Sequence, residues 1–535
     1  MIAPLIVANL LLLNGKVWTG DQGFVQAIAI EGNRIVAAGT NEMVIAASRR
    51  DARRIDLRGR LVVPGFIDNH VHFVDGGMQL SRVRLRDAAT PEEFARRIAE
   101  YARKSGSGKW VIGGEWDEQL WTPYRLPEKR MIDATTPDNP VFVSRLDGHM
   151  ALANSVALKL AGITRESKDP PGGTIVRDEK GEPTGLLKDA AMDAVGAVIP
   201  PASLDDRVAA ARAGLKEAAR FGVTSFCDMS MGVDAFQDLR AYQRLEKAGE
   251  LTSRVYLFTP ISEHERLSRA SIERSFGSDR LRIGALKGFS DGSLGSSTAG
   301  FYEPFVGEPD NRGLMMGSMT SGAMKKWVTA ANASNLQIAI HAIGDRANDE
   351  VLAIFESVPD FRDRRFRIEH AQHLSDAIIK RFAADRVIAS MQPYHAIDDG
   401  RWAEKKIGHQ RAMGTYAFRS LLNAGVTLTF GSDWTVAPLN PILGIYAAVT
   451  RRTIDGKNPN GWIPEQKISV EEALRAYTVS NAYAMFMENS IGRIAPGMLA
   501  DIVVLSDDLF TIAPEKIEGV SVDMTIVDGH VVYER

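Results

Sequence analysis

Six side chains in this 535-residue chain have the types and spacing for metal chemistry. His70 and His72 stand two apart at the end of an apolar run. In a strand, residues i and i+2 face one side, so both imidazoles reach a single ion. Ten histidines scattered at random would give only about 0.2 such pairs. Lys287 lies inside Leu286-Lys287-Gly288-Phe289, where burying an ammonium is costly. Either it pairs with a carboxylate such as Asp291, or burial lowers its pKa until the neutral amine adds CO2. The resulting carbamate is an anionic oxygen ligand able to bridge two metals. His341 and His370 end two consecutive strand-like runs, one βα unit apart. Asp433 follows Gly431-Ser432; alone it reads as a helix cap or turn residue, but with the others it completes a ligand set.

The elements that must position these groups read as a (β/α)8 TIM barrel, an α/β class fold. Strand-like apolar runs occur at residues 65–67, 223–227, 254–258, 282–289, 336–341, 366–370, 387–392 and 426–432. Helical patterns such as 205–221 and 322–334 lie between them, the alternation expected of βα units. Polar residues at the carboxyl ends of barrel strands are where catalytic groups sit. The pattern is then His-x-His, Lys, His, His and Asp on strands one, four, five, six and eight. About 150 residues separate the first two strands, far more than one unit of roughly 30 residues. That span, about 75–200, carries strand-like runs at 110–113 and 140–144 and the Gly/Pro stretch 170–173, so an inserted α/β subdomain over the barrel mouth is expected.

Both ends of the chain are strand-rich. Residues 26–30 and 34–38 flank a hairpin turn at Glu31-Gly32-Asn33, and 54–57 and 60–63 flank a turn at Arg58-Gly59. Residues 502–505 read as a buried strand, and 524–527 with 531–533 as a hairpin. A composite β-sandwich of residues 1–63 and 488–535 around a barrel of 64–487 follows.

Composition narrows the function classes. Lys plus Arg is 64 against 67 for Asp plus Glu, a net charge of −3, with no basic balance for nucleic acid or an anionic membrane. The apolar run 5–13 is short of the roughly 20 residues a membrane span needs and lacks the basic flank of a secretory signal. It reads as a buried strand, and a cytoplasmic enzyme is the default expectation. The single cysteine, Cys227, excludes an intrachain disulfide and a Cys-rich zinc site; it reads as buried, not as a nucleophile. His264, His409 and His530 read as surface residues.

The chain resembles the amidohydrolase superfamily, and within it the YtcJ-like branch, amidohydrolase family 3, which includes N-substituted formamide deformylase. The resemblance runs nearly end to end and is carried by residues 64–72 (PGFIDNHVH), 287–296 (KGFSDGSLGS), 341–347 (HAIGDRA), 367–372 (RIEHAQ), 431–434 (GSDW) and 495–501 (APGMLAD). It implies a divalent metal site, zinc expected, with Mn, Fe or Co also suited to such ligands. His341 and His370 would hold the more exposed ion, and His70, His72 and Asp433 the inner one, bridged by carbamylated Lys287. It implies hydrolysis of an amide-type C–N bond in an N-acyl amine, N-formyl amine or cyclic amide, with Asp433 moving the proton from water to the leaving nitrogen. Esters, lactones and deamination are the alternatives on the same site, and a non-catalytic scaffold is the alternative class. His149 is expected as a lid group touching substrate or oxyanion. Gln392, His373, Trp434 and Asp291 are the expected substrate contacts, with His395 and Trp402 near the pocket. The partners expected are a small-molecule amide or ester and at most a second copy of the chain; neither nucleic acid nor membrane is expected.

Overall fold

The computed structural model describes residues 8–21, 23–145, 150–170, 173–230 and 235–535. Eight parallel strands form the barrel: β1 (Phe66–Val71), β2 (Val223–Met229), β3 (Arg254–Pro260), β4 (Leu281–Phe289), β5 (Gln337–Ala342), β6 (Arg367–His370), β7 (Ile388–Met391) and β8 (Leu428–Phe430). They pair in chain order from β1 to β8. Helices cover the outside and side chains fill the inside, so β1, β2, β5, β6, β7 and β8 are buried at every position. Continuous apolar runs, with no polar alternation, follow from burial on both faces. The intervening helices include Leu204–Arg220 and Ala323–Ala333, within a residue of the segments read from periodicity.

The ring closes between β1 and β8 by a short seam. The Asp433 N–H donates to the His70 carbonyl at 2.7 Å, and the His72 N–H donates to the Trp434 carbonyl at 2.6 Å. Asn481, buried in the helix Val479–Ala484, spans the same seam lower down. Its amide nitrogen donates to the Ile67 carbonyl and, at 2.8 Å, to the Phe430 carbonyl, while its oxygen accepts the Phe430 N–H at 3.3 Å.

The chain divides into two compact units, Met1–Gly76 with Ala211–Arg535, and Gly77–Ala210. The first holds the barrel and two further sheets. One sheet runs Arg34–Gly39, Ala27–Glu31, Ala8–Leu13, Ser48–Asp56. The other runs His530–Glu534, Val522–Val527, Ile502–Leu505, Leu61–Pro64, Lys16–Trp18, Phe24–Val25, drawing on both ends of the chain. Alternate residues of the two sheets share one core, including Leu10, Ile28 and Ile30 from the first and Val62, Val504 and Ile526 from the second. This is the packing of a β-sandwich. The turn at Arg58-Gly59 exists, with φ of 53° and 76°. It does not join a hairpin: Ser48–Asp56 pairs with Ala8–Leu13, whereas Leu61–Pro64 crosses to the other sheet. Arg254, at the start of β3, ties this sandwich to the barrel floor through Asp501, at 2.7 and 2.9 Å, and Asp528.

The second unit has its own six-stranded sheet, in the order Gly173–Arg177, Pro183–Asp189, Met150–Ala153, Val141–Arg145, Val111–Trp116, Val83–Arg84. Its long helix, Pro91–Ser105, starts on a Thr90 cap with proline at the first turn and stops at Gly106, whose φ is 87°. Phe94 and Ile98 face a core with Trp116 and Val143. Among the described residues no helix is long and apolar enough to cross a membrane.

Because Asn481 satisfies two carbonyls and one N–H that water cannot reach, Asn481→Ala is expected to cost roughly 2–4 kcal/mol of stability. Urea denaturation would show this as a lower midpoint.

Candidate metal centre

Each expected ligand sits at or just past a strand's carboxyl end. His70 is inside β1 and His72 just beyond it; Lys287 is in β4, His341 in β5, His370 ends β6, and Asp433 follows β8. His370 (φ 71°), Ala371 (43°) and Asp433 (57°) hold left-handed backbone, uncommon for residues with a Cβ. Such strain collects at functional sites, where surrounding structure enforces it. At Asp433 the enforcing contact is the seam hydrogen bond to His70.

The side chains converge. One ligand atom each from His70, His370 and Asp433 lie within 4.8 Å of one another, all three residues buried. His72 Nε2 is 3.3 Å and His70 Nε2 3.5 Å from Asp433 Oδ1. Lys287 Nζ is 3.2 Å from His70 Nε2. The His341 and His370 rings lie 4.5 Å apart, edge to face. His341 Nε2 is 3.0 Å from the Gly292 carbonyl, which can only accept, so that nitrogen carries the proton and Nδ1 the lone pair.

The charges around the centre are those of a ligand set. Burial drives the Lys287 ammonium down to about 8, against the opposing pull of Glu369 and Asp433, so a usable fraction is neutral near pH 7. Burial, then the Lys287 charge, hold His70 down to about 4. Burial and neighbouring His341 keep His370 well below its ordinary value. Burial would raise Asp433, but His70, His72 and His370 outweigh it and keep the carboxyl ionised. Burial also works against a proton on His72, yet Asp433 wins and raises that imidazole. Asp433 Oδ1 is buried and takes no well-formed hydrogen bond, its nearest neighbours being His72 Nε2 and His70 Nε2. A cation facing the imidazoles of His70 and His370 and this carboxylate oxygen would satisfy all of them, so the residues present fit a divalent ion.

Beneath this layer lie groups that sequence reading left without roles. His70 Nδ1 is 2.6 Å from Glu369 Oε2, and Glu369 is paired with Arg367 on the same strand face. Asp68 Oδ1 accepts the Ser432 N–H at 2.9 Å and the His70 N–H at 3.2 Å, and burial pushes its carboxyl up to about 7. The available signal was polarity inside a buried strand: Asp68-Asn69-His70, and Arg367-x-Glu369 at i, i+2.

Three expected substrate contacts are engaged with protein partners. Asp291 is fully buried, with Oδ2 accepting the Gly300 and Gly344 N–H groups, both at 2.8 Å, and Oδ1 the Ile343 N–H at 3.0 Å. It anchors the loops after β4 and β5 and does not pair with Lys287. His373 is buried, its Nδ1 2.7 Å from the Thr415 hydroxyl and Nε2 3.1 Å from the Gln372 amide. Burial and then Arg411 hold it down to about 3, so it is neutral packing. Trp434 packs edge-on against Phe73 at 5.7 Å, and a Cβ at Gly76 would lie 2.5 Å from its ring, so it is core. Gln392 is different: it is fully buried, and its Oε1 has no donor. His395 stacks parallel to His370 at 6.4 Å, and Trp402 is half-buried. His149 and the Pro171-Gly172 pair lie outside the described residues. His264, expected at the surface, is buried, whereas His409 and His530 are exposed.

The amidohydrolase family profile matches residues 53–533. The chain is 40% identical to Protein LONG AFTER FAR-RED 3 of Arabidopsis thaliana, over 99% of this chain and 92% of that protein. It is 31% identical to the putative amidohydrolase YtcJ of Bacillus subtilis (97% and 99% covered) and 29% identical to N-substituted formamide deformylase of Arthrobacter pascens (98% of each). Among solved structures, a metal-dependent hydrolase of Pyrococcus horikoshii superposes with a TM-score of 0.79 at 28% identity, covering 95% of this chain and 99% of that one.

Cys227 lies against this layer, fully buried, with its thiol pushed up to about 12 by burial against the pull of Arg367. At pH 8 only about one thiol in 10⁴ is then ionised. Iodoacetamide is expected to leave the folded protein unmodified at pH 8 and to alkylate it fully in urea, as read by intact mass.

Proposed function

The chain belongs to the amidohydrolase family, and from that premise we propose that it is a metal-dependent hydrolase of amide-type C–N bonds. The observation that carries this reading is the buried Asp433 Oδ1, without a well-formed hydrogen bond and facing His70 and His72. In this reading His341, His370, His70, His72 and Asp433 would hold one or two ions, and Lys287, carbamylated, would supply a further oxygen ligand. A divalent ion, zinc expected, supplies a Lewis acid for the scissile carbonyl and brings the pKa of a water it holds towards 7.

The chain's own residues do the rest. Asp433, kept ionised by the surrounding histidines, accepts a proton from the attacking water and delivers it to the leaving nitrogen. An amine leaves an amide poorly until protonated, so this delivery matters as much as the attack. Gln392 Oε1, buried and without a donor, is the candidate acceptor for a substrate N–H. Lys287, partly neutral because it is buried, attacks CO2 through Nζ; one N–C bond forms and one proton is released. The relative named for N-substituted formamides makes N-formyl amines the first substrates to test.

A panel of N-formyl amines, N-acyl amines, cyclic amides, esters and aminated heterocycles, assayed with zinc-loaded protein, tests the reading. Turnover of an amide is expected, and Asp433→Asn should lower kcat by about 10²–10⁴-fold. Turnover of esters or heterocycles alone would overturn the C–N assignment. Lys287 has a separate check: reloading metal in bicarbonate-depleted buffer is expected to lower the zinc bound per chain, and adding bicarbonate should restore it.

A further inference from the structure

The interior of the barrel below the ligands is closed to the surface, yet it contains a full ion pair. Arg367 and Glu369 are both fully buried on β6. Glu369 Oε1 accepts from Arg367 Nε, and Oε2 accepts from Ser390 Oγ at 2.7 Å and Arg367 Nη2 at 3.1 Å. Arg367 also reaches across to β1, where Nη1 donates to Asn69 Oδ1 at 2.8 Å and Nη2 to the Asn69 carbonyl at 2.5 Å. Asn69 is itself held from β8, donating to Thr429 Oγ1 at 2.7 Å. β1 and β6 are not neighbours in the sheet, so these bonds run through the barrel, not around it.

Two consequences follow from counting donors and acceptors. Both Glu369 oxygens take hydrogen bonds from Arg367, and Oε2 a further one from Ser390, so this carboxylate acts as an acceptor. The 2.6 Å contact with His70 Nδ1 therefore requires the proton on Nδ1, which places the lone pair on Nε2, the atom facing Asp433 and Lys287. Asn69 and Glu369 are also the chain neighbours of His70 and His370, whose rings lie 5.0 Å apart. Bonds between Arg367, Asn69 and Glu369 thus set the separation of two ligands from different strands.

We propose that Glu369, held by Arg367, is a positioning residue: a cross-barrel brace that fixes the Nδ1–H tautomer of His70 and the spacing of His70 from His370. The proposal rests on the metal-hydrolase reading above. Buried ion pairs seldom raise net stability, since desolvation offsets their attraction. Here the gain is instead a ligand whose proton is placed before any ion arrives. Partners behind a metal-bound histidine commonly govern affinity by 10–100-fold.

The test is zinc affinity by chelator competition in wild type and Glu369→Gln, with histidine-selective ¹⁵N spectra of the metal-free full chain. The single amide oxygen of glutamine cannot serve both Arg367 and His70. Zinc affinity is expected to fall about 10–100-fold while the variant stays folded, and the wild-type His70 signal should show the proton on Nδ1. Affinity within twofold of wild type, or a proton on Nε2 of wild-type His70, would overturn the brace. If Glu369→Gln does not fold, the wild-type tautomer decides alone. Should wild type bind no zinc, the hydrolase reading falls, while the tautomer still judges the brace.

Discussion

The structure turns on one electrostatic constraint: a carboxylate, a lysine and four histidines converge at a largely buried barrel mouth. Asp433 offers a buried oxygen with no well-formed hydrogen bond, and the imidazoles of His70 and His370 are held neutral by burial. A buried carboxylate oxygen without a well-formed hydrogen bond is costly to keep. A protein retains that arrangement when something else completes it, and a divalent cation completes carboxylate and imidazole lone pairs together.

Much of the backbone serves to hold that arrangement against its own repulsions. The seam hydrogen bonds that close the barrel run directly through His70, His72, Asp433 and Trp434. Closing the ring and placing the ligands are one event, which accounts for the left-handed backbone tolerated at Asp433. On the far side, Asp291 uses three backbone N–H groups to pin the loops after β4 and β5, next to His341. Below, the Arg367–Glu369 pair spans the interior. Candidate ligands from five strands are thereby fixed from three directions, by backbone, loop and core.

The barrel was legible in the sequence because burial on both faces writes each strand as an apolar run, and because polar residues at the ends of such runs are conspicuous. His70, His72, Lys287, His341, His370 and Asp433 all stood out for that reason, and the fold brings them to one end of the barrel. What did not show was pairing between distant residues. Nothing local in Asn69 announces Arg367, nearly three hundred positions on. Asp291 was expected at the substrate or beside Lys287, yet it is the acceptor for three loop amides. At Arg58-Gly59 the turn was visible, but which sheet each flanking strand joins depends on partners up to 440 residues away, such as Ile502–Leu505. The burial of His264 has the same origin, since local polarity does not report tertiary cover.

The central claim is that the convergent histidines and Asp433 form a metal site. Anomalous diffraction at the zinc edge, from crystals grown with zinc, tests it most directly. The account predicts a peak roughly 2.0–2.2 Å from His and Asp ligand atoms at the mouth of β1, β6 and β8. Zinc peaks confined to surface histidines such as His409, with none between His70, His370 and Asp433, would contradict it.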